Sequence, residues 1–348
     1  MKKELLNKTE CTALRGLAIM GIVIHNYAHW MKGMVNENEF TWNVNNCRRM
    51  MEVLSQPDEL LPVQLFSFLG HYGVPVFLFL SGYGLVKKYE GSQEEVPLGS
   101  FVYRSFTKLF SMLFVAFALY IIVDASMPNP HHYSLSEVVL QLGMIANLMP
   151  NPSFYFHPGP FWYFGVTFQL YLVYRLFLYR YRHWGVLLAL VVISWGLQMC
   201  CANNMVILDW LRYNIIGELL PVCLGVWIAR TGFLAGLRRR YWALAGVVAT
   251  ILVFVMGNCF WSWLWVPALV VIALVAVVRC LSESVRRWLV RLGGISAALF
   301  LVHPAVRIMF ITRYQHDVYT GLLLYLIAAI ALACVVQWLI SNLRGCQK

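Results

Sequence analysis

A chain of 348 residues that is 60% hydrophobic and only 12% charged, with a mean hydropathy of +0.65, lies outside the range of soluble domains, which carry about 25% charged residues. Its net charge of +11 would suit nucleic acid, but the basic residues form no stripe or tail and fall in short clusters between apolar runs, as membrane topology demands. Nine cysteines show no CxxC and no Cys/His ligand spacing, so neither a metal site nor a disulfide framework is expected from them.

The chain opens with the basic stretch MKKELLNK. An apolar run follows that is too long for a signal-peptide core and has no small-residue cleavage site, which predicts a retained first span. A bilayer-crossing helix needs about 20 mostly apolar residues. On that ruler, spans fall near 11–32, 63–86, 104–124, 160–181, 184–201, 212–230, 241–257, 260–279, 293–311 and 319–341. An eleventh candidate, 134–149, is short and holds Glu137, Gln141 and Asn147, so it reads as interfacial or re-entrant.

The resulting fold class is an all-α, polytopic bundle of about ten transmembrane helices with both termini cytoplasmic. Ten spans put 21 of the 27 Lys and Arg residues on the cytoplasmic side. The other six are Lys32, Arg48, Arg49, Arg212, Arg307 and Arg313. If 134–149 crossed, the Arg180/Arg182 cluster would move outside, against the positive-inside rule. Two outer segments, 33–62 and 125–159, are longer than ordinary connectors. With no internal repeat and no appended soluble domain, residues 1–348 read as one membrane domain that itself carries the function.

The first span, TALRGLAIMGIVIHNYAHW, holds Arg15, His25 and His29. An Arg in hydrocarbon costs roughly 2.5 to 3.5 kcal/mol on insertion scales, so such residues usually face a protein interior or a water-filled cavity. The plainer alternatives are that Arg15 snorkels to the head-groups and that His25 is a hydrogen-bonded structural histidine.

Four stretches, in order, resemble the acyltransferase-3 family of integral membrane O-acyltransferases. They are LRGLAIMGIVIH (14–25), GVPVFLFLSGYGL (73–85), FWYFGVTFQLYLVY (161–174) and LGGISAALFLVHPAV (292–306), with the basic FVYRSFTKLF between the second and third. The resemblance implies a multi-pass enzyme of the inner cell membrane with no permanently bound cofactor. It would take an acyl group, acetyl first, from cytoplasmic acyl-CoA to a hydroxyl of a cell-surface glycan or lipid-linked sugar. His25 would then be the general base, with Arg15 and His29 in the catalytic set. Ser81, Arg104, Lys108, Trp162, Tyr163 and His303 would contact substrate.

In the family pattern ten residues separate the Arg from the His, whereas Arg15 and His25 have nine between them. Eleven steps of ~100° return to within about 20° of one face, but ten fall about 80° short. Either a helix irregularity restores the alignment or a neighbour shares the role. Asn26 holds the strict position, and His29 lies one turn beyond His25.

Each contact residue also has a plainer reading. Ser81-Gly82 suits a close helix packing contact, Trp162 and Tyr163 suit an interfacial belt, and His303-Pro304 suits a hinge. Glu218 and Gln169 suit bridges between helices. His71, His131, His132 and His157 fall at or beyond the outer face, where ordinary exposure is the default. The competing function is a secondary transporter or flippase, which would also use intramembrane Arg and His. Against it stands the lack of a second half repeating the first.

Overall fold

The computed structural model describes residues 4–91 and 96–345. Lys2 and Lys3 of the basic start, and Cys346, lie outside the described residues. Every described segment with regular structure is helical and none is a strand. The helices are α1 (Lys8–Ala28), α2 (Val44–Ser55), α3 (Leu61–Leu69), α4 (Gly73–Tyr89), α5 (Leu98–Asp124), α6 (Leu135–Leu142), α7 (Trp162–Val173) and α8 (Trp184–Cys200). There follow α9 (Met205–Arg212), α10 (Leu219–Thr231), α11 (Arg239–Met256), α12 (Phe260–Trp263), α13 (Val266–Cys280), α14 (Glu283–Gly294), α15 (Ser296–Ile311) and α16 (Val318–Gly345).

By length and apolar composition, four stretches suffice to cross a membrane: Leu61–Tyr89, Leu98–Asp124, Arg239–Met256 and Val318–Leu339. They become six if the bent pairs Met205–Arg212 with Ile215–Thr231, and Glu283–Gly294 with Ser296–Ile311, each count as one. The other expected spans hold helices that are shorter or more polar. α8 has 17 residues and α13 has 15, and 160–181 combines a 3-10 turn, α7 and a π-helical turn. The doubtful stretch 134–149 yields only the eight residues of α6 and one 3-10 turn, and α6 at about 12 Å falls well short of a bilayer.

α1 is the hub of the bundle, packing against α3, α4, α13, α14, α15 and α16. Its start is fixed by a capping box, in which Asn7 accepts from the Glu10 amide and Glu10 from the Asn7 amide, both at 2.9 Å. Glu10 also takes Arg279 at 2.7 Å, which ties α1 to α13. Further ion pairs gather at this end of the molecule: Lys87 with Glu4 at 2.9 Å, and Arg230 with Glu90 at 2.7 Å. The long segments 33–62 and 125–159 lie at the other end.

Two of the six charges assigned outside by charge counting are interior residues. Arg212 is 4% exposed; it donates to Gln198 at 2.9 Å, lies 3.8 Å from Glu218 and stacks over Trp263. Arg307 is 7% exposed and faces Asn26. Positive-charge counting assumes that each cation sits in a loop, and these two are satisfied inside the bundle instead. Glu218 thus bridges the break before α10. Gln169 does the same from α7, donating to Asn214 at 2.8 Å and accepting from the Ile215 amide at 2.9 Å.

Candidate active site

Close approach of backbones sets the site. A Cβ on Gly70 would fall 2.4 Å from the Gly21 carbonyl oxygen and 2.6 Å from the His25 Cβ, so only glycine lets the turn after α3 sit flush on α1. That contact presents the Ser67 carbonyl to His25 Nδ1 at 3.0 Å. A carbonyl only accepts, so Nδ1 carries the proton and Nε2 keeps its lone pair.

His25 lines a cavity of about 280 Å³ near the end of α1, with Asn26, His29 and Trp30 from the same stretch. Glu39 and Phe40 come from the long segment after α1, His71 from the turn before α4, Trp162 and Tyr163 from α7, and Arg307 from α15. The His25 ring centre lies 5.1 Å from His29 and 5.3 Å from His71. His71 is 1% exposed with neither ring nitrogen hydrogen-bonded, which corrects the expectation of an exposed outer residue. It sits in the 3-10 turn Gly70–Tyr72, which packs against α1 rather than projecting into water.

Arg307 Nη1 donates to Asn26 Oδ1 at 3.2 Å, and its guanidinium lies 5.1 Å over the Trp30 ring. Trp162 is 3% exposed and stands edge-on to Phe40 at 4.9 Å, so it is a cavity wall rather than a belt residue. Phe40 itself stacks on Tyr213 at 3.9 Å.

A second cavity, of about 600 Å³, is lined by Arg15, Ser81, Lys88, Arg104 and Lys108, with Tyr89 and Tyr171. Arg15, Arg104 and Lys108 are exposed there, a wall of positive charge suited to a polyanion. The exposed Arg238, Arg239 and Arg240 are not part of this wall. Ser81 donates to the Phe77 carbonyl at 2.8 Å, and the adjacent Gly82 admits the Val222 backbone of α10. Tyr163 lines the first cavity while its phenol interacts with Ser81 and Thr167, so it stands between the two.

α1 is uninterrupted α-helix from Lys8 to Ala28, and no irregularity realigns Arg15 with His25. The two residues serve different cavities instead. Asn26, at the strict position, holds Arg307.

His303 lines neither cavity. Pro304 has no N–H to give the Phe300 carbonyl, and His303 Nδ1 replaces it, meeting the carbonyls of Phe300 at 3.0 Å and Leu299 at 3.2 Å.

Charge counting alone assigns Arg307 to the outer face as a topological charge. The available signal was the one that marked Arg15, a guanidinium inside an apolar run, here four residues beyond His303.

In the segment 125–159, the His131 and His157 rings stack at 3.7 Å. Glu137 Oε1 stands 3.5 Å from His131 Nε2. Hydrogen bonds from Ser134 hold the Glu137 carboxyl below its ordinary range, and burial pushes His157 below the usual imidazole value.

The acyltransferase-3 family model, described as an acyltransferase domain, matches residues 10–341, nearly the whole chain. No curated protein and no solved structure matches.

Proposed function

Because the chain belongs to the acyltransferase-3 family and is therefore a membrane acyltransferase, we propose that it carries an acetyl group from cytoplasmic acetyl-CoA to a hydroxyl of a cell-surface glycan or its lipid-linked precursor, across the inner cell membrane. The observation that carries this reading is that one helix lines both cavities. Arg15 lies in the basic one and His25 in the histidine-rich one, ten residues or roughly 15 Å apart at helical rise. A pantetheine arm spans that distance. The CoA phosphates rest on Arg15, Lys88, Arg104 and Lys108, and the thioester passes Ser81 and Tyr163.

At the far end, His25 Nε2 takes the proton of the acceptor hydroxyl as its oxygen attacks the thioester carbonyl. The tetrahedral oxyanion develops within reach of Arg307 and collapses with loss of the CoA thiolate. His29, Trp162 and Phe40 give the sugar a mixed polar and aromatic wall. Ten spans with both termini cytoplasmic put the basic cavity on the cytoplasmic side, where acyl-CoA is.

The test is mass spectrometry of surface glycans from cells with and without the gene, complemented by wild type or His25→Ala. Loss of an acetyl ester that only wild type restores is the expected result. Identical ester content in all four samples would overturn the assignment.

A further inference from the structure

The outer segment brings together three ligand-type side chains that the acyl-transfer reading leaves unused. His131 follows α5, Glu137 lies in the first turn of α6, and His157 precedes α7. One ligand atom from each lies within 4.8 Å of the other two. Each is fixed by its own contacts. Asp124 accepts from the His131 amide at 2.9 Å. Glu137 Oε2 accepts from the Ser134 amide at 2.7 Å and its hydroxyl at 3.0 Å, which leaves Oε1 turned toward His131. Gln141 brackets the His157 backbone, donating to its carbonyl and accepting from its amide, both at 3.3 Å.

The side-chain atoms that remain are the unusual part. His131 Nε2 and His157 Nδ1 are both buried and have no hydrogen-bond partner. A 3.5 Å approach of Nε2 to a carboxylate oxygen is too long to count as one. Buried polar atoms without partners are rare in folded proteins, and here one imidazole nitrogen from each histidine and a carboxylate oxygen lie within 4.8 Å of one another.

We propose that His131, Glu137 and His157 form a zinc site. Two imidazoles and one carboxylate are a recognised zinc ligand set, and imidazole selects zinc over calcium or magnesium. Tetrahedral bonding at about 2.1 Å puts ligand atoms roughly 3.4 Å apart. The cluster reaches this by closing a spread of no more than 4.8 Å and by turning the two stacked imidazole rings out of parallel. The metal would tie three separate stretches of the outer segment to one another. His157 leads directly into Gly159, Pro160, Trp162 and Tyr163, which wall the histidine-rich cavity. Zinc therefore sets the rigidity of the acceptor side of the site without entering the chemistry.

The test uses full-length protein in detergent, stripped with chelator and reloaded with zinc chloride. Elemental analysis gives the stoichiometry and competition with a fluorescent zinc chelator gives the affinity. We expect one zinc per chain in wild type and in the exposed-neighbour control His132→Ala. Affinity should fall by about 100-fold or more in His131→Ala and His157→Ala. Glu137→Gln retains an oxygen for the Ser134 cap, so its fold is secure, and about a 10-fold or greater loss is expected there. Cobalt substitution in wild type should give the intense visible bands of a four-coordinate site. Failure of wild type to take up zinc, or wild-type affinity in the double variant His131→Ala/His157→Ala, would overturn the proposal.

Discussion

At the scale of single residues, the hydrogen bond from His25 Nδ1 to the Ser67 carbonyl fixes a tautomer with an unprotonated Nε2 on a residue that lines the cavity, and the proposal of His25 as the base rests on it. His25→Ala should lower acyl transfer by 10² to 10⁴-fold, about 3 to 5 kcal/mol in the barrier. His29→Ala should cost less, since His29 lies one turn further along α1 from the basic cavity than His25. Acyl transfer by purified, correctly inserted variants checks both; full activity in His25→Ala with loss in His29→Ala would move the base by one turn. Wild-type transfer should also fall on acidification, because a protonated imidazole has no lone pair to offer. Glu37 makes a separate pH prediction. In the segment after α1 it is 1% exposed with Oε2 unpaired, and burial raises its carboxyl to about 8. The folded protein therefore keeps a proton that the unfolded chain loses above its ordinary value of 4.5, so stability declines as pH rises from about 4.5 through 8. Thermal unfolding at pH 5.5 and 8.5 should show a lower midpoint at the higher pH in wild type, and a smaller difference in Glu37→Gln.

At the scale of elements, α15 shows how a proline is accommodated inside a helix. Pro304 strands the Phe300 carbonyl, and Nδ1 of the His303 ring supplies the missing N–H. His303→Ala should then destabilise by about 1 to 3 kcal/mol, the cost of a buried unsatisfied acceptor. Pro304→Ala restores a backbone donor, so the double variant should be less destabilised than the sum of the singles. Thermal denaturation of all four proteins in one detergent measures the coupling, and strict additivity would rule out the exchange of donors. On the opposite side of the site, Arg15 of α1 and Arg104 of α5 share one cavity wall. Arg15→Ala and Arg104→Ala should each weaken CoA binding, and added salt should weaken wild type more than either variant, because exposed charges are screened within about 10 Å at 0.1 M. Calorimetric titration of CoA into each protein is the measurement; unchanged affinity in both would remove the donor from this cavity.

At the scale of the whole molecule, composition alone established a helical membrane protein, and the motifs carried the family, because both are properties of local sequence. Arg15, His25 and His29 were visible for the same reason: polar residues stand out in an apolar run. What stayed hidden depends on contacts between distant segments. Nothing local tells that His71 meets His25 across the Gly21–Gly70 approach, that Arg212 and Arg307 turn inward, or that His131, Glu137 and His157 converge from three stretches. Topology is the remaining global question, and it separates the ten-span arrangement from alternatives in which a short or bent helix fails to cross. With ten spans, the ion-paired end that holds Lys87, Arg230 and Arg279 is cytoplasmic, as the positive-inside rule prefers, and 33–62 and 125–159 are external. Removing one crossing inverts everything after it, so fusions at successive loops locate the fault. Reporters placed after Lys88, Arg182, Arg240 and Arg291 should read cytoplasmic, and those after Asn46 and Pro150 external. α6 is the critical case: if the fusion after Arg182 reads external, the segment 134–149 crosses despite its eight-residue helix, and His131, Glu137 and His157 could no longer all lie on one outer face.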